Sequence, residues 1–495
     1  MDINLIPETE PEPESDPEYN WSQLGESIKY SKNNSYFGHS VSINNNATSD
    51  NAIIAIGAPG ENGGRVYVYE WNISNFMWEQ KGKIFSPEYN GLSQNLGYSL
   101  CLNNTGNILV IGNPNADING KTNIGNIRVF IWNNNEWNQL GNSISGEVQN
   151  ENKGYIVKLN ENATINNLVI VTSQPQYDTN SNNNVGRVTT YKYNKTTNIW
   201  DNHGTFIYGG NRQKLGTSIS INGDGNILAI GSSYSSNNGY KSGKVEIYYY
   251  NINNNSWDKF TTDILGNYYD SLGYNIDINS DCKTNSLYLL VSSPTYNSNR
   301  GKVQYMYWDG IKWNTIYTSL GNFKNHYFGN DGISINSKGD RFSIGDSINN
   351  GIIVSYRYKD NNIKKQGLSI RGINNYLSYG ENISLNYDGV ILATSQYKDN
   401  INLVNIYNYT TKEILPIPES EPEPEPGNIL IYLKTGINLI SNAYKSEIYD
   451  FNHIVIGNLY TLKNGSYINS EIILPNIGYI IKAKTNGYIQ LNLIN

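Results

Sequence analysis

A short segment returns seven times along the chain, and a unit that small buries its apolar surface only by packing against copies of itself. The copies are Phe37-Gly-His-Ser-Val-Ser-Ile-Asn44, Leu96-Gly-Tyr-Ser-Leu-Cys-Leu-Asn103, Lys153-Gly-Tyr-Ile-Val-Lys-Leu-Asn160 and Leu215-Gly-Thr-Ser-Ile-Ser-Ile-Asn222. They continue as Leu272-Gly-Tyr-Asn-Ile-Asp-Ile-Asn279, Phe328-Gly-Asn-Asp-Gly-Ile-Ser-Ile-Asn336 with one inserted residue, and Tyr379-Gly-Glu-Asn-Ile-Ser-Leu-Asn386. Their glycines, at 38, 97, 154, 216, 273, 329 and 380, are spaced by 59, 57, 62, 57, 56 and 51 residues. Such spacings suit a four-stranded unit with variable loops.

Each copy continues in the same order. A second apolar run without alternation follows, as in Ala52-Ile-Ile-Ala-Ile-Gly-Ala-Pro59, which reads as a strand buried on both faces. The third run alternates, as in Gly64-Arg-Val-Tyr-Val-Tyr69, with the period of a strand. A fourth run usually opens on tryptophan, at Trp78, Trp137, Trp200, Trp257 and Trp313; in the sixth repeat it is Ile363-Lys-Lys-Gln-Gly367. The seventh repeat ends its third run at Ile406-Tyr-Asn-Tyr409 and has no fourth. The missing strand stands at the other end of the chain, where Trp21-Ser-Gln-Leu-Gly-Glu-Ser-Ile28 matches Trp137-Asn-Gln-Leu-Gly-Asn-Ser-Ile144 at six of eight positions. An N-terminal strand completing the last unit closes a ring and removes its open edges. The expected fold is all-β: a seven-bladed β-propeller over residues 20–411, its last blade closed by the N-terminal strand.

Residues 1–19 and 412–426 read as linkers. Residues 1–19 carry seven acids and 413–426 five, with no base in either. Ile417-Pro-Glu-Ser-Glu-Pro-Glu-Pro-Glu-Pro426 is a stiff, extended spacer, and Ile6-Pro-Glu-Thr-Glu-Pro-Glu-Pro-Glu14 echoes it. The formal charge of −7 comes from these two segments, and the remainder is mildly basic, about +5, without the concentrated basic face of a nucleic-acid binder. No apolar run reaches the roughly 20 residues of a membrane-spanning helix. The first residues do not read as a secretory signal. Residues 427–495, with short strands between Gly and Asn turns, read as a small β-domain.

The repeat resembles the FG-GAP repeat of integrin α-subunits, in its bacterial and large-virus variety. The matching elements are Phe37-Gly38, Ile56-Gly-Ala-Pro59, the Gly-X-Val third strands and the Trp-X-Gln-Leu-Gly fourth strands, over about residues 21–411. The resemblance implies the propeller fold, a tendency toward surface recognition or adhesion, and a cell-surface, extracellular or virion-associated setting. The chain departs from integrin-type blades between first and second strands, where those carry an Asp-rich Ca²⁺ loop. Here stand Asn103-Asn-Thr-Gly106, Asn222-Gly-Asp-Gly225 and Asn386-Tyr-Asp-Gly389, too poor in carboxylates for the six to eight oxygens Ca²⁺ takes. They read as turns. In the tail, Leu433-Lys-Thr-Gly-Ile-Asn-Leu-Ile440 and Gly478-Tyr-Ile-Ile-Lys482 resemble small accessory β-domains, with Ile437 and Ile480 where those carry Trp.

No residue set is nominated as catalytic, cofactor-binding or metal-ligating. Cys101 and Cys282 lie in different repeats, and His39, His203, His326 and His453 show no metal-ligand spacing. Position 39 is filled by Tyr98, Thr217, Tyr274 and Asn330 in other repeats, which reads as a tolerant structural site. Asp277 and Asp340 have no second carboxylate that the sequence pairs with them. A glycan-cleaving propeller would gather carboxylates from different blades on its axis, which a sequence does not display. The third-strand tyrosines, among them Tyr191, Tyr193, Tyr248 to Tyr250, Tyr305, Tyr307, Tyr356 and Tyr358, read as packing between blades, with an aromatic binding surface as the alternative. Long connections at 113–125, 174–186, 232–243 and 147–153 all emerge on one face. Variable loops on a rigid frame commonly bind, so that face is expected to take a protein or glycan partner. The leading reading is a non-enzymatic recognition or adhesion module. The alternatives are a structural or decorating component of a virion or surface assembly, and a glycan-cleaving enzyme.

Overall fold

The computed structural model describes Pro13, residues 19–88, 94–348, 351–372, 380–398 and 401–411, and eight strands between Asn428 and Leu493. It separates into two compact units, Met1–Lys412 and Glu413–Asn495. The first is a seven-bladed β-propeller in which each blade is an antiparallel sheet, ordered by sequence from axis to rim in the first six. In the first blade the order is Ser40–Ile43, Ile53–Ala58, Arg65–Asn72 and Met77–Gln80.

The second strands lack alternation because both of their faces meet another blade. Ile54 and Ile56 pack against Ile391 and Ala393 of the seventh blade, while Ala55, between them, packs with Leu100 and Leu109 of the second. All three are fully buried. The third-strand tyrosines follow the packing reading: Tyr191, Tyr193, Tyr248, Tyr305 and Tyr356 are buried.

The displaced strand stands where its sequence places it. Tyr19–Gln23 pairs antiparallel with Ile401–Thr411, and Ile28–Tyr30 continues along the same partner. The fourth strands are then joined by their tryptophans. The Trp21 indole N–H donates to the Gln366 carbonyl of the sixth blade at 2.9 Å, and Trp78 donates to Leu24 at 2.9 Å. Trp137, Trp200 and Trp257 donate likewise to Lys81, Leu140 and His203 in the blade before. The glycine of Trp-X-Gln-Leu-Gly makes room for this contact: a Cβ on Gly141 would press on the Trp200 ring.

In the second unit the described strands form two four-stranded antiparallel sheets. Gly436–Ile440 and Tyr479–Ala483, which carry the two tail motifs, are hydrogen-bonded neighbours, with Leu439 opposite Ile480.

Candidate functional site

The seven first strands enclose an axial cavity whose walls are set by repeat positions. Each innermost strand is an edge, so its outward backbone groups need partners from the next blade. Two positions supply them. Two residues after the repeat glycine, Ser40, Ser99, Ser218, Asn275 and Asn382 donate to the next glycine's carbonyl, at Gly97, Gly154, Gly273, Gly329 and Gly38. Close approach there also explains the second-strand glycines, since a Cβ on Gly57 or Gly112 would overlap the carbonyl of Gly97 or Gly154.

The second position forms a ring of Ser42, Cys101, Lys158, Ser220, Asp277, Ser334 and Ser384 around the axis. Ser42 accepts from the Leu102 N–H, Ser220 from Ile278, Ser334 from Leu385 and Ser384 from Ile43. Asp277 accepts from the Ile335 N–H at 3.0 Å and from the Ser220 hydroxyl at 2.9 Å, and the Cys101 sulfur accepts from Leu159. Lys158 departs from this role, because an ammonium has donors only.

The narrow end is shut by side chains that cross the axis. Asn45 donates to the Glu161 carboxylate at 2.7 Å and to the Ser337 hydroxyl at 2.7 Å. Glu161 also accepts from Ser337 and Ser280. Asp277, Glu161 and Lys158 thus meet in one cavity of about 110 Å³, a gathering that sequence order does not display. Burial pushes both carboxyls up from their ordinary values, and the Lys158 charge opposes that for each. The two carboxylates hold the Lys158 ammonium above its usual value against its own burial. Among the described residues no group of three or more His, Cys, Asp or Glu side chains is placed to hold a metal. Asp340 lies elsewhere and accepts from Asn336 within its turn at 2.9 Å.

The repeat asparagine is more than a turn residue. Its Oδ1 accepts second-strand N–H groups, as Asn222 does from Asn226 and Ile227 at 2.9 Å each. Its amide then donates to the following blade: Asn44 to Asn104, Asn103 to Ala163, Asn160 to Gly223, Asn222 to Cys282, Asn279 to Ser337, Asn336 to Tyr387 and Asn386 to Ala47. Seven such bonds encircle the narrow end. The recurrence of Asn in all seven copies was the available signal, and turn chemistry accounts for only half of it.

The wide end opens on the long-loop face as a cavity of about 560 Å³. Its wall is the position after each repeat glycine: His39, Tyr98, Tyr155, Thr217, Tyr274, Asn330 and Glu381. Pro175, Gln176, Ser233 and Tyr234 from the long connections of the third and fourth blades complete it. His39, Tyr98 and Tyr155 form an aromatic arc, with ring centroids 4.6 and 5.2 Å apart, and the Tyr98 and Tyr155 hydroxyls share a hydrogen bond. Burial lowers the His39 pKa, so its ring is neutral near pH 7. Across the opening stands Asp331, whose carboxyl burial pushes up to about 6, helped by Glu381 and Asp346 and opposed by the Ser347 N–H. His39, read from the sequence as a tolerant structural position, therefore lines the mouth.

The other described histidines are structural. His203 stacks on Tyr250 at 3.8 Å, and burial drives its pKa down to about 4. His326 is buried, accepts the Asn322 N–H on Nδ1 and donates from Nε2 to Asp346 at 2.8 Å, which clamps the loop before the sixth blade. His453 lies outside the described residues.

No protein-family model and no curated protein matches the chain. Among solved structures it is similar to a "putative 6-phosphogluconolactonase" from Bacteroides uniformis, at 12% identity and a TM-score of 0.48, covering 70% of this chain and 92% of that one. A protein of the same name from Bacteroides fragilis gives 12% identity and a TM-score of 0.43, covering 67% and 86%. Both are too distant to bear on what this chain binds or does.

Proposed function

We propose that this propeller, a member of the FG-GAP kind by its repeat, is a non-enzymatic recognition module whose ligand enters the wide end of the axial cavity from the long-loop face. The observation that carries this reading is the funnel itself. It opens among the longest connections, it has the volume of a small-ligand site, and a wall of aromatic rings interleaved with hydroxyl, amide and carboxylate groups surrounds it. Aromatic faces with nearby polar groups suit a sugar ring or an exposed side chain of a protein partner. Virion or surface attachment belongs to the same reading.

Asp277 and Glu161 give a hydrolytic reading its one foothold. Both carboxylates are engaged by neighbouring blades, and the chamber that holds them is about a fifth of the mouth's volume. That supports bracing over catalysis, and Asp277→Asn is expected to leave any glycan incubated with the protein uncleaved, as the wild type does. The test of recognition is a glycan and surface-protein array probed with the full chain. Replacing the connections at 113–125, 174–186 and 232–243 by short Gly/Asn turns is expected to abolish every specific signal while circular dichroism and melting stay close to wild type. A signal that survives all three replacements sinks the proposal.

A further inference from the structure

The mouth is electrostatically lopsided. Asp331 and Glu381 line it on the side of the sixth and seventh blades, and Lys214 lines it on the side of the fourth. Outward from Lys214, the rim loops of the fourth blade and the loop entering the fifth carry exposed tyrosines: Tyr234 at 40% exposure, Tyr240 at 56%, Tyr268 at 71% and Tyr269 at 39%. Two ammonium groups are spread over these rings. Lys214 lies 4.5 Å from the Tyr234 centroid, and Lys241 lies 5.1, 5.6 and 6.0 Å from those of Tyr234, Tyr240 and Tyr269. Segments 209–215, 232–243 and 266–272 contain a single acid, Asp270, which is buried, accepts the Asn267 N–H and faces Lys302.

The backbone shows that these residues are placed at a cost. Equivalent rim loops are joined by the same ladder: Asn152 N–H to Asn123, Lys214 N–H to Asn184, Ser271 N–H to Lys241 and Tyr327 N–H to Asn299. Each of these positions has positive φ, which Asn tolerates and long side chains disfavour. Lys241, at φ 47°, stands where the other blades of the ladder have Asn123, Asn184 and Asn299, and Tyr269, at 63°, stands where they have Asn150 and Asn325. Among the described residues three basic side chains hold positive φ, Arg212, Lys214 and Lys241, and all three belong to the rim of the fourth blade. Strained positions that gather charge and aromatic faces at one exposed sector point to a site. The patch is also rigid: the Tyr269 and Ser271 N–H groups donate to Tyr240 and Lys241 at 2.9 Å each, and Asn238 donates to Gly266 at 3.0 Å.

We infer that the rim of the fourth and fifth blades, built from Tyr234, Tyr240, Tyr268, Tyr269, Lys214 and Lys241, binds an anionic glycan chain whose end reaches the axial funnel. Sugar rings lie on the tyrosine faces, and carboxylate or sulfate groups meet the two ammonium groups. The inference rests on the recognition reading above and adds the ligand's chemical class and its path to the mouth. The acids on the far side of the mouth discourage the chain from crossing, so it approaches from the basic sector.

The experiment is isothermal titration of the full chain with polygalacturonate and chondroitin sulfate oligosaccharides, against neutral malto-oligosaccharides of equal length. Binding of at least one acidic series is expected, weakening about tenfold between 50 and 300 mM NaCl. Lys214→Glu with Lys241→Glu is expected to weaken it by roughly tenfold or more at low salt, with melting unchanged. Tyr240→Ala with Tyr268→Ala is expected to weaken it without altering the salt dependence. Carboxylated and sulfated series differ in which anion the lysines prefer, and either one binding in this way supports the inference. Equal affinity for acidic and neutral series, or charge reversal without effect, overturns it. Capture of a protein ligand alone, lost on shortening the loops but indifferent to Lys214 and Lys241, also overturns it and leaves the loop-face reading standing. A ligand bound as well after loop shortening removes both.

Discussion

The two ends of the axial cavity are made by the same seven strands and use their residues in opposite ways. At the narrow end one residue type, Asn, fills its position in all seven copies, and each copy bonds to the next blade. At the mouth the equivalent ring runs His39, Tyr98, Tyr155, Thr217, Tyr274, Asn330 and Glu381. A position that must satisfy the same backbone groups in every blade tolerates little change. A position that faces open space is released from the repeat, and its chemistry is set by whatever enters. The Ser/Cys/Lys/Asp ring between them is intermediate: six members brace, and Lys158 does not.

The sharpest way to break this contrast is to exchange the two ends. Asn222→Ala removes acceptors for two N–H groups and the donor to Cys282, and each buried group left unpaired costs about 1–3 kcal/mol. We expect about 3 kcal/mol lost in denaturant unfolding, and Asn222→Tyr to be worse. Tyr98→Asn at the mouth should cost less than about 1 kcal/mol. Equal losses at both ends would erase the distinction.

Asp331 sharpens it at the mouth. Its folded pKa of about 6 lies above the ordinary 3.8, so its contribution to stability is full below the ordinary value and is lost as pH rises through about 6. Each unit of displacement is about 1.4 kcal/mol, so Asp331→Asn should stabilise by about 3 kcal/mol at pH 7.5 and by almost nothing at about pH 3.5. A difference curve flat with pH would contradict the assignment. His203 titrates in the opposite sense. Its folded pKa of about 4 lies below 6.5, so its share of stability is present above 6.5 and falls away as pH drops through about 4. For that reason the variant-minus-wild-type difference is read, rather than either curve.

The smallest effect concerns the exception in the middle ring. Lys158→Ser restores a hydroxyl that accepts from the next strand, as Ser42 and Ser220 do, a bond of about 1 kcal/mol. It also leaves Asp277 and Glu161 without their cation. Burial favours the neutral form of both carboxyls, so the variant is expected to gain most at the acid end of the folded range and to lose that gain as pH rises and they ionise without a cation. Melting scans across pH decide it, and a variant-minus-wild-type difference that does not change with pH would contradict it.

Much of the scaffold was legible because its determinants are local or repetitive. Trp21-Ser-Gln-Leu-Gly announced a fourth strand separated from its blade by the whole chain, and Trp21 lies against the sixth blade as that demands. The long-loop face followed from strand parity, and the funnel opens there. Illegible were the contacts that join repeat to repeat. Asp277 and Glu161 look solitary in sequence because the residues between them fill most of two blades, and only ring closure brings them together. His39 was read from its variability as structural, whereas variability at that position reflects a wall facing a cavity. The basic rim of the fourth blade was hidden as well, because positive φ at Lys241 or Arg212 is not a property that residue type announces.

The central claim is that recognition occurs at the wide end. Its most direct test is one titration series with a ligand that the full chain binds, comparing Tyr98→Ser with Tyr155→Ser at the mouth against Asn162→Ala with Lys338→Ala on the opposite face. The account predicts a loss of at least about tenfold, one 1.4 kcal/mol step, for the mouth pair and none for the other. Undiminished binding by the mouth pair, with loss in the opposite-face pair, would contradict it.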